Sequence, residues 1–257
     1  MPTSIITTDD LREFKMELLE DIKELLQSQN GLPNKKWLLT QTWLNLLFVH
    51  WEIEVSDLRA RIPDELEIDL HNGKAYIAIV PFDMKGVTFR NCPKVSFLSD
   101  FPEINVRTYV TYQGKPGVWF FSLDVPRRFP AWAARTFFHL PYRHGQVSIA
   151  DLDGEIRYEQ EVENDVFRAR YKPFQGCIRE PSSFEKWATE RYCLYCQSKY
   201  GALYRTEVQH RLWPLQKASL DIEKNSMLSD FEVGLQHPSI LFSKRIEVVA
   251  YALERLN

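Results

Sequence analysis

INVRTYVTYQGKPGVWFFSLDVPRRFPAWAARTFFHLPYR, residues 104–143, decides how this chain is read. Ile104, Val106, Thr108 and Val110 alternate with Asn105, Arg107, Tyr109 and Thr111, the period of two that marks a strand. Gly114-Lys115-Pro116-Gly117 turns the chain, and residues 118–125 return as a second strand. On that return strand Trp119 and Phe121 share one face, while Val118 and Phe120 share the other. Pro130 suits the first turn of a helix reaching Phe138. Leu140-Pro141 stops that helix, and a Leu-Pro-Tyr-Arg exit ends the stretch.

Strands dominate on both sides of it. Residues 40–55 are rich in aromatic and branched side chains and enclose His50. Residues 56–59 suit a short helix, and His71-Asn72-Gly73-Lys74 a hairpin turn, because Asn-Gly adopts positive φ at low cost. Residues 75–82 are almost all apolar, which predicts burial on both faces. Residues 87–99 show no period and read as a loop. Residues 145–150, 155–161 and 166–171 form a meander with Asp153-Gly154 and Asn164-Asp165 at its turns. A Pro-Ser-Ser-Phe-Glu start predicts a helix over 181–189. Residues 192–199 pair with 202–210, residues 226–235 read as helix, and 243–253 make a last strand. About ten strands with short connections imply an antiparallel sheet or barrel with helices at its edges.

Residues 1–34 differ in texture. Leu11, Phe14, Leu18, Leu19, Ile22, Leu25 and Leu26 recur at helical spacing over 11–26, opposite a charged face. Such a helix either dimerises the chain or lies across its own domain. The chain therefore divides into a helical extension, 1–34, and one β-rich domain, 35–257.

The chain has 257 residues, 44% of them hydrophobic, enough for a large core. With 32 basic and 35 acidic residues the net charge is −3. That balance argues against nucleic acid or an anionic membrane surface as partner. No apolar run approaches the ~20 residues of a membrane span. No secretory signal is legible at the N-terminus, so the expected location is the cytoplasm, with the four cysteines reduced. Cys193 and Cys196 stand three apart on a strand and point to opposite faces, a poor metal site. No cofactor motif is present; the chain has neither a Gly-rich phosphate loop nor a Gly-x-Ser-x-Gly elbow.

Several segments together resemble a known family: LLFVHW (46–51), GKAYIAIVPF (73–82), FPEINVRTYV (101–110), GVWFFSLD (117–124), ARTFFHLPY (134–142), ERYCLY (190–195) and VQHRLWPLQKA (208–218). In this order they resemble the YqjF-like bacterial proteins of the acetoacetate-decarboxylase-like superfamily. The resemblance implies an α+β, mainly antiparallel barrel or cone with peripheral helices and an interior ligand pocket. In the decarboxylases the pocket motif ends in two lysines, the first forming a Schiff base. Here Tyr142 and Arg143 lie where those lysines would be. A phenol does not condense with a ketone, so the resemblance does not carry over the reaction.

Arg107 is the most informative single residue. A guanidinium in an apolar strand is costly unless paired. It either offers a planar fork to a carboxylate ligand, with Asn105 beside it, or pairs with a buried acid such as Glu190, or faces outward. Trp119 and Phe121 are candidates to line an apolar pocket, and Arg143 to bind an anion. Tyr142, His50 and His210 are candidates for proton transfer, the histidines because they titrate near neutrality. Each of these is also a plausible core or structural residue. The reading is a pocket for a small apolar acid or ketone without Schiff-base chemistry; the alternative is a scaffold acting through its surface and N-terminal helix.

Overall fold

The computed structural model describes residues 35–90, 99–128, 138–234 and 237–256. The extension 1–34 and the helix expected from Pro130 lie outside these residues. The chain opens with a long strand, β1 (Trp37–Ile53), a one-turn helix α1 (Val55–Arg59), β2 (Glu67–Ile68), β3 (Ala75–Phe89), β4 (Phe101–Tyr112) and β5 (Lys115–Val125). β6 (Tyr142–His144), β7 (Gln146–Leu152), β8 (Glu155–Val162) and β9 (Asp165–Pro173) precede the helix α2 (Ser183–Thr189). β10 (Cys193–Gln197), β11 (Leu203–His210), β12 (Leu215–Gln216), β13 (Ala218–Asn225), β14 (Ser239–Tyr251) and β15 (Glu254–Arg255) complete the chain.

Hydrogen bonding runs in the order β14-β1-β3-β4-β5-β10-β11, and β11 pairs back to β14 through Val208–His210 against Val248–Ala250. The strands thus go round a cone. Its weak seam is the parallel β5–β10 contact, only two residue pairs long. A second sheet, β13-β9-β8-β7, lies against one side. One apolar cluster fills the gap between the two sheets, with Leu47, Val49, Ile77, Ile104 and Val106 facing Tyr158, Phe167 and Tyr171. The other lies within the ring and draws Phe48, Val80, Phe82, Val208, Trp213, Val248 and Ala250 from its strands and bends.

These placements follow from local chemistry. Nearly all of β3 up to Phe82 is buried, as its unbroken apolar run predicts, because one face meets each cluster. Ser182 and Glu185 close the predicted capping box at the start of α2. Asn72 and Gly73 both take positive φ in the hairpin turn. Two expectations fail. Residues 87–89 continue β3 rather than opening a loop. The stretch after Ser226 is a chain of turns, Ser229 to Ser226 and Phe231 to Leu228, and not a helix. Met227 and Leu228 are buried there and Val233 bridges to Ile53, so anchoring to the core overrides the local helical preference. Among the described residues no helix is long and apolar enough to cross a membrane.

The seam depends on Gly117. A Cβ at this position would lie 2.7 Å from both the Cys193 carbonyl oxygen and Cε2 of Tyr195. Neither β5 nor β10 can back away without losing its short pairing. Gly117→Ala is expected to cost about 1–3 kcal/mol of stability, read as a melting temperature several degrees lower. An unchanged melting temperature would mean that the seam is not held this tightly.

Candidate functional site

β4 carries the site. Its odd-numbered residues Glu103, Asn105, Arg107 and Tyr109 point to the side away from Ile104 and Val106, which bury between the sheets. Arg107 and Glu103 border a cavity of about 150 Å³ inside the cone. Trp43, Phe120, Tyr142, Arg191, His210 and Trp213 border it too. That is about the volume of an engineered cavity that takes up benzene.

At one end the carboxyl of Glu103, only 3% exposed, accepts a hydrogen bond from the Tyr142 hydroxyl (2.7 Å). Burial pushes this carboxyl up from 4.5 to about 7, against the opposing hydrogen bonds from Tyr142 and Asn105. Burial and the neighbouring Glu103 likewise raise the Tyr142 phenol well above its usual range. At the other end Arg107 spreads its guanidinium 5.2 Å from the Phe48 ring centre and 6.0 Å from that of Tyr109. Among the described residues no carboxylate lies within ion-pair distance of it. Arg191 reaches the same cavity but is anchored, donating through Nη1 to Asp69 and through Nε to the Trp187 carbonyl. Nε of Arg107, Nη2 of Arg191 and the Trp43 indole nitrogen are buried without a hydrogen-bond partner among the described residues. The cavity is therefore rich in unused donors, two of them cationic.

The remaining sequence candidates separate. Asn105 sits buried beside Glu103, on the same face of β4. Tyr142 borders the cavity as read. Arg143, the next residue, does not. Its Nε and Nη2 donate to both oxygens of Asp124 (2.7 and 2.8 Å) and its Nη1 to Asp165 (2.6 Å). Gln160 adds a fourth bond to Asp124 (2.7 Å). All three nitrogens of this fork are bonded to carboxylates that tie β6 onto β5 and β9, so the reading of Arg143 as an anion ligand is corrected to a structural clamp. Trp119 and Phe121 lie on the opposite face of β5. Phe121 packs on Phe231 (5.0 Å), and Trp119 and Phe121 border a separate hollow with His139 and Cys196. The apolar wall beside Arg107 is instead Val118 and Phe120, because a bulge between Val106 and Arg107 shifts the register with β5.

The histidines separate too. His50 does not border the cavity; its Nε2 shares a 2.6 Å hydrogen bond with the Tyr109 hydroxyl. Burial, helped by the Arg107 charge, pushes it down to about 3. His210 does border the cavity, donating through Nδ1 to the Arg211 carbonyl (2.8 Å), and burial lowers it to about 4. Both are neutral at physiological pH and neither supplies an acid there. Glu190, offered as a partner for Arg107, accepts from the Tyr192 hydroxyl and the Trp213 amide instead. Glu103 was overlooked in the sequence. It stands two positions before Asn105 on the same parity, which is the signal that would have placed it beside Arg107.

Residues 40–247 match the DUF2071 family of uncharacterized conserved proteins. The chain is 37% identical over 239 residues to the uncharacterized protein YqjF of Bacillus subtilis, covering 90% of this chain and 98% of that one. Among solved structures it resembles the enduracididine biosynthesis enzyme MppR complexed with pyruvate, with a TM-score of 0.63 at 11% identity over 90% of this chain and 94% of that one. It also resembles acetoacetate decarboxylase from Legionella pneumophila, with a TM-score of 0.60 at 14% identity over 91% and 95%. At these identities the likeness is one of fold: the acetoacetate-decarboxylase-like cone read from the sequence.

Glu103 should leave a mark on stability. Between pH 4.5 and about 7 the folded chain keeps a proton that the unfolded chain has lost. Raising the pH through that window therefore removes stability, on the order of 3 kcal/mol in all, and nothing further is lost above it. Glu103→Gln stays neutral and keeps an acceptor for Tyr142. Urea unfolding of both proteins across the window should show the variant gaining on the wild type as the pH rises. A pH-independent difference would mean that Glu103 ionises normally.

Proposed function

This chain belongs to the DUF2071 family, and from the cavity within its cone we propose that it binds a small, partly apolar acid or ketone without forming a covalent bond to it. The observation that carries this reading is Arg107. A guanidinium enclosed by aromatic faces, with its Nε unbonded and no carboxylate partner among the described residues, is set out for an anion that the chain itself does not provide. A ligand carboxylate between Arg107 and Arg191 would take up the spare donors and the Trp43 N–H. Phe120, Val118 and Trp213 suit an apolar body, and Glu103 with Tyr142 suits a carbonyl or hydroxyl at the far end.

The lining supports a non-covalent mode. Among the described residues that border the cavity there is no lysine. Lys115 is engaged with Glu207 and Lys217 with Glu185. Schiff-base chemistry needs an amine made neutral beside the carbonyl, and Tyr142 offers a phenol. MppR has been solved with pyruvate, a short acid with a ketone, on the same fold. That agrees with the size and polarity of the ligand proposed here.

Native mass spectrometry of the purified chain, followed by calorimetry with short oxo acids, tests the reading. A small acid is expected to bind, and Arg107→Gln to weaken it about 10–100-fold, the worth of a charged hydrogen bond. Borohydride added with the ligand is expected to leave the protein mass unchanged. Equal affinity in Arg107→Gln, or a covalent mass gain on a lysine, would overturn the proposal.

A further inference from the structure

Glu103 and Tyr142 do more than line the cavity wall. The carboxyl is enclosed, Oε2 is bonded to a phenol O–H, and both groups share one small cavity with two guanidinium groups. We infer that Glu103 is a catalytic base toward the C–H bond next to the carbonyl of a short 2-oxo acid, with Tyr142 as its hydrogen-bonding partner. The inference rests on the cavity holding such an acid, as proposed above.

A C–H bond beside a ketone gives up its proton only if the electron pair left behind is stabilised on the carbonyl oxygen. The cavity offers both halves of that requirement. As the C–H bond breaks, an O–H bond forms on the Glu103 carboxylate, and the electron pair moves to make a carbon–carbon double bond and an enolate oxygen. The carboxyl, now neutral, no longer holds the Tyr142 proton strongly, and the phenol donates to the enolate instead. Arg107 and Arg191 keep the acid's own carboxylate in place and offset the charge that builds next to it. The proton taken up by Glu103 exchanges with solvent, and delivery of a solvent-derived proton from Glu103 to the same carbon restores the ketone. The cycle needs no oxidant, reductant or leaving group.

Its pH profile is a signature that a structural glutamate would not give. With the carboxyl held at about 7, the base form appears as the pH rises through neutrality. Burial sets this value first, followed by Tyr142 from β6, Asn105 on β4 itself, and Asp124 on β5, which Arg143 ties to Asp165. Arg107, on the same face of β4, shares the cavity; Tyr158 on β8 is a further titratable neighbour, and Asp83 on β3 acts on Tyr158.

The test uses the full chain with 2-oxobutanoate in heavy water, following loss of the C3 proton signal by NMR while binding is measured separately by calorimetry. Exchange faster than buffer is expected, rising with pH to a plateau with its midpoint near 7, and unaffected by prior borohydride treatment with the acid. Glu103→Gln should slow it about 100-fold or more with binding retained. Tyr142→Phe, which leaves the base in place, should slow it less and shift the midpoint. Binding without accelerated exchange overturns this inference and leaves the binding reading standing. Absence of binding overturns both. Exchange that survives in Glu103→Gln, or that borohydride abolishes, assigns the chemistry to another group and overturns the role of Glu103.

Discussion

A glutamate and an arginine held on the inward face of one strand are the constraint around which this molecule is arranged. Ionised groups are expensive to bury, and the two are handled differently. Burial makes Glu103 harder to ionise, and Tyr142 satisfies it with a hydrogen bond. Arg107 is laid against the faces of Phe48 and Tyr109, whose ring electrons partly replace a counter-ion. Neither arrangement gives the stability that apolar side chains of the same volume would give. A fold that tolerates both within one cavity has kept polar capacity where packing alone would remove it.

The rest of the architecture holds that strand and its neighbours in position. Tyr142 reaches Glu103 because β6 runs parallel to β5, with Leu123 opposite Tyr142 and Asp124 opposite Arg143. The clamp of Arg143 on Asp124 and Asp165 fixes the register. α2 and the bend that follows β11 close the other end. The Trp213 indole donates to the Thr189 carbonyl (2.8 Å), and Asp69 anchors Arg191. Two consecutive residues at a strand start, Tyr142 and Arg143, thus divide the work. One faces the cavity, and its neighbour faces the joint between the sheets.

Much of this was legible in the sequence, and the failures are instructive. The alternation from Ile104 to Thr111 placed Asn105, Arg107 and Tyr109 on one face, and the structure agrees, because period two is a property of the strand alone. Which face of β5 meets the cavity was not legible. The bulge opposite Arg107 exchanges Phe120 for Phe121, and nothing in the local pattern announces it. The partner of Arg143 was hidden because Asp124 and Asp165 are distant in sequence. His50 and His210 looked like acid–base groups at their ordinary values. Only the tertiary burial of both rings lowers them out of that range. Glu103 was visible by parity but sat at the strand's entrance, where a glutamate ordinarily reads as solvated. Shared fold with acetoacetate decarboxylase sets the cone, and the chemistry of the cavity must be read from the side chains that this chain puts there.

The central claim is that a guest acid, and not a carboxylate of the chain, completes Arg107. A crystal structure grown with 2-oxobutanoate tests it most directly. The ligand carboxylate should lie within hydrogen-bond distance of Arg107 and Arg191, its carbonyl end toward Tyr142 and Glu103. Arg107 ion-paired to one of the chain's own acids, with the ligand elsewhere or absent, would contradict it.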